Sequence, residues 1–92
     1  MSAEQLMDKL VNAISYKYKD DKTVPGLTIA RLKKGYYCSV VRYCGPFARD
    51  KEVVCNARGD DLTSALKKLA TTFVQMSAVT KTPLQELGDL VL

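Results

Sequence analysis

Two runs of sequence decide the fold: LTIARLK, from Leu27 to Lys33, and YYCSVVRYC, from Tyr36 to Cys44, with only Lys34-Gly35 between them. Both runs are rich in β-branched and aromatic residues, and a two-residue break ending in glycine is a hairpin signal. Upstream, Asp20 to Gly26 is polar and closes on Pro25-Gly26, a turn signal that a helix does not continue through. Downstream, Gly45-Pro46 breaks the second strand, Phe47 to Asp50 reads as a loop, and Lys51 to Arg58 supplies a third strand.

Helical patterns flank the strands. Ser2 followed by Gln5 is a capping box, and Leu6, Met7, Leu10, Val11 and Ile14 recur at helical spacing, which predicts a helix from Ala3 to about Tyr18. Gly59 ends the third strand. Asp60 or Asp61 then caps a helix that carries Leu62, Ala65, Leu66, Leu69, Phe73 and Met76 on one face. Thr82-Pro83-Leu84-Gln85 has the cap, the first-turn proline and the capping-box glutamine of a further short helix, running through Leu84, Leu87, Leu90 and Val91. The expectation is an α+β fold, with a three-stranded antiparallel sheet, helices packed on one face, and the order α-β-β-β-α-α. Ninety-two residues fit a single domain spanning 1–92.

Alternation sorts the strand side chains. With Lys34-Gly35 as a two-residue loop, Lys33 opposes Tyr36, Leu32 opposes Tyr37 and Arg31 opposes Cys38. One face then holds Thr28, Ala30, Leu32, Tyr37, Ser39, Val41 and Tyr43, with no charge among them. The other holds Leu27, Ile29, Arg31, Lys33, Tyr36, Cys38, Val40, Arg42 and Cys44. An unpaired Arg or Lys is costlier to bury than an Ile or Val is to expose, so the charge-free face is expected beneath the helices. In the third strand Val53, Cys55 and Ala57 are expected inward, and Glu52, Val54, Asn56 and Arg58 outward. The outer surface would be aliphatic, rimmed by Arg31, Lys33, Arg42 and Arg58 with Tyr36 beside them, and these five are the expected partner-binding residues.

Composition narrows the function. The chain is 47% hydrophobic and 26% charged with 5 Gly and 3 Pro, so it is neither disordered nor collagenous. The net charge of +4 is concentrated mid-chain: between Tyr16 and Arg58 ten Lys and Arg face four acids. The N-terminus lacks the basic start and apolar run of a secretion signal, and no apolar stretch approaches the ~18 residues of a membrane span, so a cytoplasmic protein without membrane contact is expected. There is no histidine. Cys38, Cys44 and Cys55 lack CxxC spacing and read as reduced thiols, so neither metal nor cofactor is expected. Asp20-Asp21 falls in a turn and Asp60-Asp61 at a helix start, and nothing supplies an activating base for a nucleophile. A non-enzymatic role follows.

The order helix, three antiparallel strands, helix resembles the double-stranded-RNA-binding domain in topology, from Ala3 to about Met76. That family opens its last helix with a Lys-Lys-x-Ala-Lys cluster that holds phosphates. This chain has Gly59-Asp60-Asp61-Leu62 there, and Lys67-Lys68 only a turn or more later. In size, and in a helix opened by Gly-Asp-Asp-Leu-x-x-Ala-Leu (Gly59 to Leu66), the chain also resembles small accessory proteins of bacteriophages and mobile elements. That likeness implies a protein that occupies a binding surface of a host enzyme. The expected function is thus a small inhibitor or adaptor that meets a protein partner through the outer face of its sheet. Nucleic acid is the alternative on the same arginines, with Tyr36 stacking, and a homodimer through that face is a further option. The aromatic-basic run Tyr16-Lys17-Tyr18-Lys19 is a second candidate surface.

Overall fold

A computed structural model of the chain describes residues 2–20, 22–45 and 50–76. The elements are α1 (Ala3–Lys17), β1 (Val24–Arg31), β2 (Tyr36–Tyr43), β3 (Lys51–Gly59) and α2 (Leu62–Met76). The strands form one antiparallel sheet in the order β1-β2-β3. Both helices contribute to one buried cluster on a single side of it, so the architecture is α+β as expected. The further helix expected from Thr82 lies outside the described residues.

Local chemistry sets the helix starts. The Ser2 hydroxyl accepts from the Gln5 N–H at 3.2 Å, and the Gln5 side-chain oxygen accepts from the Ser2 N–H at 3.0 Å. At α2 the capping residue is Asp61. Its carboxylate accepts from the Ser64 N–H at 2.7 Å and its backbone carbonyl from the Ala65 N–H at 3.0 Å. A cap of this kind contributes about 1 kcal/mol.

Two strand boundaries differ from the sequence expectation. β1 begins at Val24, so Pro25 and Gly26 lie inside a strand rather than in a turn. An edge strand tolerates this, because Pro25 pairs with Arg42 on the part of the ladder where its missing N–H faces away from β2. The hairpin is also longer. Arg31, not Lys33, opposes Tyr36, and the Leu32 N–H donates to the Gly35 carbonyl at 2.9 Å across a four-residue loop. A two-residue primed turn would ask positive φ of Lys34 as well as of Gly35. The longer loop places φ of 95° at Gly35, where a Cβ would also stand 2.3 Å from the Gly59 carbonyl oxygen.

The core is built from Leu6, Leu10, Ala13 and Ile14 of α1, Ala65, Leu66, Leu69, Ala70, Phe73 and Val74 of α2, and Cys38 and Val40 of β2. Leu27, Tyr36, Val54, Cys55 and Ala57 pack against it from the sheet. α1 lies over β1 and beside α2, which covers β2 and β3.

The residues of β1 and β2 in this cluster belong to the group expected to face outward, whereas Cys55 and Ala57 of β3 face inward as expected. The alternation itself is right, because the two-residue shift of the hairpin preserves which side chains share a face. The choice between the two groups is reversed in β1 and β2. Leu27, Cys38 and Val40 lie beneath the helices, and Thr28, Ala30, Tyr37, Ser39, Val41 and Tyr43 point away from them. Charge misled because Arg31 and Arg42 stand at the two ends of their face while the helices cover its middle. Arg31 is exposed, and the Arg42 side chain keeps 25% exposure and reaches the Glu52 carboxylate.

β3 adds a second departure. Val40 opposes Cys55 but Val41 opposes Val53, so Val54 is an extra residue in a β-bulge. Before the bulge Val53 faces away from the helices and Glu52 faces Arg42; after it Cys55 and Ala57 face inward and Asn56 and Arg58 outward. Val53 and Glu52 are therefore on the faces opposite to those expected, and Val54 packs against the core.

Candidate partner-binding surface

The five residues expected to form one outer surface occupy three places. Arg31 and Tyr36 are cross-strand partners at the hairpin end, on the helix-bearing side, with the guanidinium 5.8 Å from the ring centroid. Lys33 is exposed in the hairpin loop. Arg42 is on the helix-bearing side at the other end of β2, bonded to Glu52 at 2.5 Å and 5.2 Å from the centroid of the Tyr18 ring. Arg58 alone of the five side chains lies within the sheet on the side that carries no helix among the described residues, the helix-free side, as the cross-strand partner of Tyr37. The single basic-apolar outer face is thus corrected to two separate sites plus Arg58, for the same reason that reversed the faces.

The aromatic-basic end of α1 is joined to one of these sites. Lys19 lies 4.5 Å from the centroid of Tyr16, Lys17 lies 5.8 Å from that of Tyr18, and Arg42 shares the Tyr18 ring. Each cation already rests on an aromatic face, an arrangement that ties the last turn of α1 to the sheet.

The helix-free face has a different character. Its alternate positions bring together Val24, Thr28 and Ala30 of β1, Tyr37, Ser39, Val41 and Tyr43 of β2, and Lys51, Val53, Asn56 and Arg58 of β3. Among the described residues its charges are Lys51 and Arg58, both on β3. Val24 is 65% exposed and Val53 45% exposed, whereas Tyr37 and Tyr43 are half-buried. At the centre Ser39 and Val41 are buried, and the Thr28 and Ser39 hydroxyls are hydrogen-bonded to one another. A Cβ on Gly26 would stand 3.5 Å from the Tyr43 ring and 3.9 Å from a Val41 methyl, so the ring and the methyl lie close over this glycine. Tyr37, Tyr43 and Val53 were not among the expected contact residues. The signal that could have found them is the charge-free alternation itself, read as an interface instead of as a core.

The thiols separate by environment. Cys38 is buried, Cys55 half-buried and Cys44 exposed. Burial pushes the Cys38 thiol up to about 11, and the nearby Cys55 adds to the rise. Cys55 is raised by burial, against a hydrogen bond with the Val40 backbone that lowers it. Since the thiolate is the reactive form, iodoacetamide at about pH 8 is expected to modify Cys44 first, with Cys38 slowest. Peptide mapping of partially alkylated protein checks this, and faster modification of Cys38 than of Cys44 would contradict the burial.

A raised thiol pKa also fixes the sign of a pH effect. The folded state holds the Cys38 proton that the unfolded chain releases near its ordinary value. The stabilisation is therefore complete below about pH 9 and is lost as pH rises toward about 11. Denaturant midpoints measured across that window should fall more steeply for the wild type than for Cys38→Val.

Among the described residues, no group of three or more His, Cys, Asp or Glu side chains comes together to hold a metal ion, and no helix is long and apolar enough to cross a membrane. No family model matches the chain, and no curated protein or solved structure matches it.

Proposed function

We propose that the chain is a non-enzymatic protein-binding domain, of the inhibitor or adaptor kind, whose contact surface is the helix-free face of the sheet, with Tyr37 and Tyr43 at the two ends of its middle strand and Val53, Lys51 and Arg58 along its β3 edge. The observation that carries this reading is the composition of that face: exposed valines beside half-buried tyrosines, with both charges on one edge. Interface centres are enriched in tyrosine and poor in lysine, and charge belongs to their rims. Nucleic acid would call for cations spread across the face along a phosphate track. The double-stranded-RNA mode is further disfavoured because the Asp61 carboxylate already occupies the N-terminus of α2, where a phosphate would have to sit.

The test is capture from a host lysate treated with nuclease, comparing wild type with two double variants. Val53→Glu with Arg58→Glu should reduce capture of the same protein band at least about tenfold, the loss expected when an apolar contact is replaced by a charge and a neighbouring charge is reversed. Arg31→Glu with Arg42→Glu, on the other side of the sheet, should leave it unchanged. The reverse pattern would move the function to the helix-bearing side. Binding that nuclease abolishes and that weakens steeply with salt would assign the chain to nucleic acid instead.

A further inference from the structure

The two edges of the sheet are unlike. β3 carries Lys51, Glu52 and Arg58 and a bulge at Val54, the devices that deter a strand from pairing with another chain. β1 pairs with β2 without a bulge over its whole length, and its only charge is Arg31 at its end. Ile29 is 40% exposed, with Ala30 and Arg31 exposed beside it.

The hydrogen bond from the Leu32 N–H to the Gly35 carbonyl fixes which backbone groups of β1 are used. In an antiparallel ladder alternate residues address the same neighbour, so Ala30, Thr28 and Gly26 turn their N–H and C=O toward β2. Arg31, Ile29 and Leu27 turn theirs to the open edge, where no hydrogen bond holds them among the described residues. Pro25 is next in that series, and having no N–H it ends the run of donors.

We propose that this edge pairs with β1 of a second copy, antiparallel, about a two-fold axis at Ile29, so that two three-stranded sheets become one of six strands. In that register Ile29 exchanges both backbone hydrogen bonds with the partner's Ile29, and Leu27 does so with the partner's Arg31. Every outward N–H from Leu27 to Arg31 then meets a carbonyl. The exposed Ile29 side chains cover one another, and the stem of each Arg31 lies along the opposite Leu27. The two Arg31 residues are four positions apart along the ladder, roughly 13 Å at about 3.3 Å per residue. That exceeds the ~8 Å screening length at physiological salt.

Neighbouring registers are worse. A shift toward Leu27 sets Pro25, without a donor, against a residue that needs one. A shift toward Arg31 brings the two guanidinium groups together. Parallel pairing of β1 with its copy in the same alignment would also place them side by side. The single terminal charge therefore makes the edge complementary to itself in one arrangement, and self-complementarity is what a two-fold dimer requires. The helix-free face stays open in this dimer, so its proposed partner contact is independent of it.

Sedimentation velocity from about 5 to about 500 µM, the range in which small interfaces associate, tests the pairing. The mass should rise toward twice the 10.2 kDa of one chain. Amide hydrogen exchange of the wild type should show protection at Leu27, Ile29 and Arg31 that grows with concentration, while Thr28 and Ala30 are protected throughout. Ile29→Lys should remain a single chain with an unchanged circular dichroism spectrum, and Val53→Glu with Arg58→Glu should dimerise like the wild type. If Ile29→Lys does not fold, the wild-type exchange pattern decides alone. A single-chain mass at every concentration, a dimer that survives Ile29→Lys, or concentration-dependent protection confined to other amides would overturn the proposal.

Discussion

Phe73→Ala is expected to cost about 3 to 5 kcal/mol of stability, as large-to-small changes of buried aromatics do. Phe73 is the largest fully buried side chain among the described residues. It sits in the last third of α2 within the cluster that α1, α2 and the sheet share. Helical spacing brings Leu66, Leu69 and Phe73 to one face, and all three are fully buried. Truncation to alanine removes the ring from contact with a two-layer core that has little else to collapse into the gap. A domain of this size has a total stability of about 5 to 15 kcal/mol, so the variant should lose from about a fifth to all of it. Urea denaturation followed by circular dichroism measures this as a lowered midpoint at a similar slope. A midpoint equal to that of the wild type would contradict the placement of α2.

Val40→Asp is expected to abolish folding, whereas Ala30→Lys is expected to change stability by less than about 0.5 kcal/mol. Val40 is fully buried at the middle of the central strand, with Leu27 and Cys55 as its cross-strand neighbours on the helix-bearing face. A carboxylate there has no partner, and an uncompensated buried charge costs on the order of several kcal/mol, comparable with the whole stability of the domain. Ala30 is exposed on the opposite face. The pair of variants therefore reads directly which side of the sheet the helices cover. A folded, cooperative Val40→Asp protein alongside a destabilised Ala30→Lys protein would restore the orientation that the sequence first implied.

The reversal of the sheet has a local cause. Weighing charges along whole strands favours burying the group Thr28, Ala30, Tyr37, Ser39, Val41 and Tyr43, because the other group contains arginines. Helices do not cover whole strands, however. At the middle of the sheet the comparison is between Leu27, Cys38, Val40, Cys55 and Ala57 on one side and Thr28, Ser39, Val41 and Asn56 on the other, and the first set is the more apolar. Arg31 is exposed at one end of that face, and Arg42 at the other lies against the Tyr18 ring with its guanidinium bonded to the Glu52 carboxylate, so each charge meets solvent or a partner. The candidate site inherited this reversal: of the five residues the sequence pointed to, Arg31, Tyr36 and Arg42 lie on the helix-bearing side and Lys33 in the hairpin loop, and Arg58 alone shares the helix-free side with the exposed Val24 and Val53.

Short-range chemistry was legible without the fold. The capping box of Ser2 and Gln5, the helix start at Asp60-Asp61, the presence of the hairpin and the division of its side chains into two groups all depend on residues a few positions apart, and backbone geometry ties such residues together directly. Three features depended on residues far apart in the chain. The bulge at Val54 arises from fitting β3 to β2, the strand character of Pro25 and Gly26 arises because β1 became an edge, and the choice of buried face arises from where two helices come to rest. Alternation states that two sides exist and is silent on which is inside, because that sign is set by the footprint of the helices on the middle of the sheet, a quantity that exists only once the layers have packed.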